Sequence, residues 1–294
     1  MNKSLMVGYL ESWAPANITF TKAAEMGYDT IVMAFGVING STIGIADGAF
    51  NPAPTSEALK KDISTAKTKG AKHILFSVGG QNNTYNPGSA LAVDVAKNIV
   101  NYLNEYGFTG IDFDLEIDTD ADYLDQLCAD IKQLDPSLLI TAAPQLSQGD
   151  HDSNLFLVSS GNDTPYDKAV NNKRFDYLFI QAYNNGWPEV NGVNIKEVGF
   201  ISEAFKNLKN SIPAETMITI GEPASIEAAG KESVYYGPDA NTDIYPLMAK
   251  QYESINDDSQ FGGVMTWDIN WDKKNGNQFI NNMKNTITVL QKTN

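Results

Sequence analysis

The sequence predicts an α/β protein, a single-domain TIM (β/α)8 barrel spanning residues 1–294. Three observations predict it. Eight short apolar runs rich in β-branched and aromatic residues recur along the chain, each separated from the next by a stretch that can hold a helix. Strands alternating with helices argue for a parallel sheet, and eight such units argue for a sheet closed on itself. The length, 294 residues, suits one such barrel, which typically needs about 250.

In chain order the strands are expected at 5–12, 30–38, 73–80, 110–116, 138–145, 177–184, 217–224 and 262–270. The segments between them fit helices. Residues 89–106 place Leu91, Val95, Ile99 and Tyr102/Leu103 on one face, and Gly107 follows as a C-cap. Asp118-Thr119-Asp120 reads as the N-terminal cap of a helix through Leu134, with Pro136 beyond it. The seventh helix falls within 221–261, and 279–290 makes the closing helix. Two longer segments, 38–54 and 146–174, are rich in Gly, Ser, Asn, Asp and Pro and are expected as loops. Both follow strand ends, on the face where barrels carry their active sites. No room is left for a sizeable inserted domain, so any groove is expected to be shallow and open.

Composition narrows the function. Hydrophobic residues make up 42% and charged residues 19%, ordinary values for a globular chain. The formal charge of −15 repels phosphate backbones and anionic lipids, which argues against nucleic-acid and membrane partners but leaves neutral polymers open. The single cysteine, Cys128, lies in the helical pattern of Tyr123, Leu124, Leu127 and Ile131 and reads as core. It excludes an intrachain disulfide and a cysteine-based zinc cluster. His73 opens a strand and His151 sits in a polar loop, neither with a partner at metal-ligand spacing, so no metal or cofactor is expected. Met1–Ser4 runs straight into an apolar strand, without a signal-peptide pattern, and no apolar run is long enough to cross a bilayer.

The most informative stretch is Gly110-Ile111-Asp112-Phe113-Asp114-Leu115-Glu116. Side chains alternate across a strand, so Asp112, Asp114 and Glu116 share one face and Ile111, Phe113 and Leu115 the other. In a barrel the apolar face meets the helices and the acidic face lines the lumen, over about 13 Å of strand at about 3.3 Å per residue. Barrel interiors are normally filled by branched apolar residues, and unpaired buried charges are strongly penalised, so an acidic interior row implies chemistry. Asp112, the deepest, is expected to have a raised pKa from desolvation and a neighbouring carboxylate, sharing one proton with Asp114. Glu116, at the mouth, is expected to stay protonated near neutral pH, which suits a general acid.

At these residues the chain resembles the family-18 glycoside hydrolases, the chitinases and their relatives, known for an Asp-x-Asp-x-Glu strand ending. Ser77-Val78-Gly79-Gly80 is similar to the family's Ser-x-Gly-Gly on the third strand, and Gln181-Ala182-Tyr183-Asn184 to the ending of the sixth. Gly263-Val264-Met265-Thr266-Trp267 resembles the eighth-strand segment that carries the floor tryptophan. The resemblance implies a retaining mechanism in which the substrate's own acetamido group is the nucleophile. It implies that Glu116 protonates the leaving oxygen and then activates water, and that Asp114 binds the acetamido nitrogen. Asp112 then takes up the proton shared within the pair, Tyr183 donates to the acetamido oxygen, and Trp267 forms the floor. Gln181, Asn184 and Met265 belong to the same matching segments and are expected near the sugar. The resemblance also implies cis peptides near Ala34-Phe35 and Trp267-Asp268.

Other residues are read beside it. Gly79 and Gly80 would leave lumen space for the acids and a sugar ring. Tyr9 and Phe35 are expected to line the pocket, and Trp13 and Trp187 to stack on flanking sugars. Thr109 stands where the wider family pattern often has another aspartate, so support rather than chemistry should differ. Glu222 is expected as a rim or loop acid. The expected partners are chitin and N-acetylglucosamine oligosaccharides, handled by a secreted, extracellular monomer whose export signal is not in this sequence. Two alternatives share these residues: an endo-β-N-acetylglucosaminidase acting on N-glycans, and an inactive chitin-binding lectin on the same barrel.

Overall fold

The computed structural model describes residues 4–13, 18–117, 119–148, 154–159, 163–184, 186, 188–229 and 243–291. Eight parallel strands form its centre: β1 (Leu5–Glu11), β2 (Thr30–Asn39), β3 (His73–Gly79), β4 (Gly110–Asp114), β5 (Leu139–Ala142), β6 (Tyr177–Gln181), β7 (Met217–Pro223) and β8 (Phe261–Trp267). Each pairs with its neighbours in chain order, and the pairing of β8 with β1 closes the barrel. Register brings Ser77 beside Asp112 and Asp112 beside Thr141, so three inward polar residues stand in one row across β3, β4 and β5.

The two faces of the strands build two cores. Outward residues such as Ile31, Ile74, Ile111, Phe113, Ile140 and Ile218 pack against the helices. Inward residues form a smaller cluster inside the barrel, with Val7, Tyr9, Val32, Leu75, Phe179 and Met265 among them. Each fully buried side chain of this size contributes about 1.5–3 kcal/mol. Asp112 and Asp114 interrupt the inner cluster.

The helices are α1 (Phe20–Met26), α2 (Ser56–Thr68), α3 (Ala92–Tyr106), α4 (Ala121–Leu134), α5 (Asp167–Asn171), α6 (Phe200–Leu208), α7 (Tyr245–Glu253), α8 (Ile269–Lys274) and α9 (Gln278–Gln291). Helix α3 buries Val95, Ala96, Ile99, Val100 and Leu103, the expected stripe, while Leu91 caps the helix and stays exposed. Gly107 ends it at φ +83°, a left-handed conformation that glycine adopts without strain. Asp120 caps α4 by accepting from the N–H groups of Asp122 and Tyr123; Asp118 lies outside the described residues. Among the described residues no helix is long and apolar enough to cross a membrane.

Three sequence expectations are corrected. The carboxyl ends of several strands are shorter: β4 ends at Asp114, so Glu116 stands just beyond it, and β5 stops at Ala142 before Pro144. The eighth strand ends at Trp267 because Asp268 caps α8. Finally, the two segments expected as loops carry strands. Thr42–Ile45 pairs antiparallel with β2, and Gln145–Gln148 pairs antiparallel with Leu155–Val158. Alternation in both was masked by their Gly, Ser and Asn content.

Candidate active site

Two of the three predicted acids lie inside the barrel, and the third stands at its mouth. Asp112 is fully buried and accepts three hydroxyl hydrogen bonds. Tyr9 Oη (2.9 Å) and Ser77 Oγ (2.6 Å) donate to its Oδ2, and Thr141 Oγ1 (2.6 Å) donates to Oδ1. Asp114, also buried, accepts one bond on Oδ1 from Gln181 Nε2 at 2.8 Å. The same nitrogen donates to the Ala143 carbonyl at 2.9 Å, so Gln181 fixes Asp114 relative to the end of β5. It also hydrogen-bonds Glu116, which is half-buried. Tyr166 holds the chain between the acids: the Leu115 N–H donates to its hydroxyl at 2.7 Å, and the hydroxyl donates to the Leu115 carbonyl at 3.0 Å.

The electrostatics follow from that geometry. Burial raises the pKa of all three acids. Asp114 rises furthest above the ordinary range, first by burial, then by the Glu116 and Asp112 charges, with only Gln181 opposing. Asp112 rises through burial alone, and its three hydroxyl donors favour the charged form. Asp114 has fewer donors and more anionic neighbours than Asp112, so ionising both at once is disfavoured. Glu116 is raised by burial, with the Gln181 hydrogen bond opposing.

Tyr183 completes the arrangement. It is 4% exposed, and its phenol lies within the fields of Asp114, Glu116, Asp268 and Asp112. Three aromatic rings form one wall. Phe35 stacks on Trp267 at 6.0 Å and 19°, and Trp13 stacks on Phe35 at 5.9 Å and 20°. Trp13 is half exposed, unusual for an indole without a partner in solution. The peptides Ala34-Phe35 and Trp267-Asp268 are cis, as the resemblance implied.

A cavity of about 680 Å³ opens over these groups, in the size range of sites for small organic ligands. Of the predicted residues, Asp114, Glu116, Tyr183, Gln181, Asn184, Trp267, Phe35 and Trp13 line it. Four others stand behind its wall. Tyr9 is buried beneath, holding Asp112, and Met265 fills the space that glycine leaves at 221. A Cβ on Gly79 would lie 2.0 Å from the Asp114 carbonyl, and one on Gly80 2.4 Å from the Phe35 ring. These glycines make room for a strand and an aromatic ring rather than for sugar directly. Trp187 lies outside the described residues.

Thr109 links β3 to β4, accepting from the Ile74 N–H at 3.0 Å, a supporting role as expected. Glu222, expected at the rim, is instead 1% exposed. It alternates with Gly221, which faces Met265, and so points out into the helix layer. There Gln251 Nε2 donates to its Oε1 at 2.9 Å, Oε2 has no partner among the described residues, and burial pushes its pKa up to about 8. Sequence reading missed Thr141, Gln145 and Tyr166. Thr141 was accessible from register, since it falls opposite the acid row; Gln145 and Tyr166 reach the site through a hairpin and a loop that leave no periodic signal.

Comparison with known proteins agrees with this geometry. The family described as glycosyl hydrolases family 18 matches residues 5–273. An acidic endochitinase of Arabidopsis thaliana is 30% identical over 247 residues, covering 78% of this chain and 72% of the relative. An acidic endochitinase of Nicotiana tabacum is 28% identical over 264 residues, covering 83% and 80%. The crystal structure of a family GH18 chitinase from Chromobacterium violaceum superposes with a TM-score of 0.74 at 20% identity, over 97% of this chain and 84% of that one, a likeness of fold.

Proposed function

The chain belongs to glycosyl hydrolase family 18 and is a glycoside hydrolase, and from that premise we propose that it is a chitinase. It cleaves β-1,4 linkages between N-acetylglucosamine units, with the substrate's acetamido group as nucleophile. The observation that supports this most strongly is the set of groups around one cleft: two buried aspartates, a raised glutamate, a phenol and an indole. No second carboxylate across the cleft is required by such a mechanism.

The steps follow from residue chemistry. Glu116 gives its proton to the glycosidic oxygen as the C1–O bond breaks. The acetamido carbonyl oxygen bonds to C1, forming a cyclic oxazolinium cation. Holding that oxygen against C1 is a proximity effect, supplied by Tyr183 donating to the oxygen and Asp114 accepting from the acetamido N–H. Accepting requires Asp114 to be ionised, so the proton shared within the pair passes to Asp112. The hydroxyls of Tyr9, Ser77 and Thr141 can rotate to serve as acceptors when that happens. The Asp114 charge then offsets the cation. Water attacks C1 and returns a proton to Glu116. Trp267 presents an apolar face beneath the reacting ring. A solid polymer cannot enter a cell, so an enzyme with this substrate acts outside it.

The test is parallel incubation with chitotetraose and with a high-mannose glycopeptide. Shorter chito-oligosaccharides from the first, and nothing from the second, are expected. Release from the glycopeptide alone would overturn the chitinase reading in favour of an endo-β-N-acetylglucosaminidase, and binding without turnover would point to a lectin.

A further inference from the structure

Leu115 is the one residue between Asp114, where β4 ends, and Glu116, which lines the cavity. Its N–H belongs to the peptide that joins it to Asp114, and its carbonyl to the peptide that joins it to Glu116. In an extended chain both groups of one residue point to the same side. Alternation puts them on the side of β5, as for Phe113, whose carbonyl accepts from the Ala143 N–H at 3.0 Å. The ladder stops there. The Ala143 carbonyl accepts from the Gln181 side chain instead, and Pro144 has no N–H to give.

Tyr166 takes the place of the missing strand. Its hydroxyl accepts from the Leu115 N–H at 2.7 Å and donates to the Leu115 carbonyl at 3.0 Å. One atom thus holds the peptide planes on both sides of the residue before the acid. The hydroxyl is itself fixed. Its ring is fully buried and lies edge-on to Phe175, with centroids 6.3 Å apart. The Tyr166 carbonyl accepts from the Val170 N–H at 2.9 Å, at the start of α5. Just past the other end of α5, Asn172 and Arg174 donate to the two oxygens of Asp125 on α4, at 3.0 and 2.7 Å. The Leu115 side chain packs into the outer core. That packing places Leu115; the hydroxyl sets the tilt of its two peptides.

We propose that Tyr166 is a positioning residue for the reaction: its hydroxyl replaces the absent strand partner of Leu115 and so sets the direction in which Glu116 meets the scissile oxygen. The inference rests on the reading of Glu116 as the general acid. Tyr166 does not line the cavity, so it acts through the backbone alone. Without its hydroxyl, the Leu115 N–H and carbonyl are buried and unpaired, and the rim shifts to find other partners. A displacement of about 1 Å at a reacting group can cost about a hundredfold in rate. Asp114 is spared, because the Gly80 N–H still holds its carbonyl and Gln181 its side chain. Substrate binding therefore survives while proton transfer suffers.

The experiment compares wild type, Tyr166→Phe and Glu116→Gln on chitotetraose and on a dinitrophenyl chitobioside, with tryptophan emission reading chito-oligosaccharide binding. A sugar leaving oxygen needs the acid's proton, whereas a dinitrophenolate departs without one. Because kcat/KM stops at the first irreversible step, it isolates that proton transfer. Tyr166→Phe is expected to lower kcat/KM about thirtyfold on chitotetraose and less than about threefold on the dinitrophenyl substrate, with binding nearly unchanged. Glu116→Gln is expected to show the same selectivity, more strongly. A merely structural tyrosine would weaken both substrates alike as the melting temperature fell; that outcome, or an unchanged rate on chitotetraose, would overturn the proposal. Should Tyr166→Phe not fold, Phe175→Leu keeps the hydroxyl and loosens the ring behind it. A loss confined to chitotetraose is then expected, and equal losses or none would overturn the proposal. A wild type inert on both substrates would instead sink the functional reading itself.

Discussion

In the proposed mechanism Glu116, as the general acid, carries the heaviest chemical demand of any residue. Burial raises its pKa, so it keeps its proton to higher pH than an ordinary glutamate. A general acid works protonated, so kcat is lost as pH rises through that raised value, not through the ordinary one. Towards acid the limit is different: once Asp112 and Asp114 are both protonated, no charge offsets the oxazolinium. A bell-shaped pH–rate curve is therefore expected, with its alkaline limb displaced upward. Glu116→Gln removes the proton while preserving shape. It is expected to lower kcat by about a thousandfold, within the usual range for acid–base catalysis, and to leave chito-oligosaccharide affinity within a few-fold. Turnover and tryptophan-detected binding check the two halves; retained turnover would remove Glu116 from the mechanism.

At the scale of an element, β7 shows how one strand serves two environments. Gly221 faces the lumen and yields its space to Met265, whereas Glu222 faces the helices with one oxygen unpaired among the described residues. Its folded pKa of about 8 lies above that of a free glutamate. Below the unfolded pKa both states hold the proton, and stability is unaffected. From there to about pH 8 the folded state keeps a proton that the unfolded chain releases, so stability falls as pH rises and then levels. Glu222→Gln offers an amide in place of the orphan oxygen's proton. It is expected to raise stability at pH 8 by on the order of 3 kcal/mol and to change it little near pH 4. Urea midpoints at the two pH values check this; equal shifts at both would contradict it.

The same strand marks how far the sequence can be read. Alternation in β4 was legible because Asp and Ile, Phe or Leu are unmistakably different, and it predicted an inward row that register now seats against Ser77 and Thr141. Glu222 was misjudged because a single acid in an apolar run does not reveal which face it takes or what packs over it. The partner, Gln251, lies on α7, and only tertiary structure brings it there. Hairpins hidden in polar segments were unreadable for a related reason: their strands are only four residues long, too short for Leu146, Leu155 and Leu157 to announce the core they reach.

At the scale of the whole molecule, closure of the barrel converts a local pattern into a site. Residues from β1, β3, β4, β5, β6 and β8 converge only because the sheet meets itself. Trp267 reaches Tyr9 across the closing seam, with ring centroids 5.8 Å apart. The eight strands and the acid row were evident from the sequence; the role of Gln181 between two acids and the contact of Trp267 with Tyr9 depended on distances. Net charge acts at this scale too. At −15 the molecule gains nothing from a charged substrate of the same sign, whereas a neutral polysaccharide approaches without penalty.

All of this hinges on whether the sugar supplies its own nucleophile. Proton NMR of chitotetraose digestion in its first minutes reads the new reducing ends before they mutarotate. Attack by the acetamido oxygen followed by water inverts C1 twice, so the β-anomer is predicted. Initial appearance of the α-anomer would mean direct displacement by water, and would contradict the account.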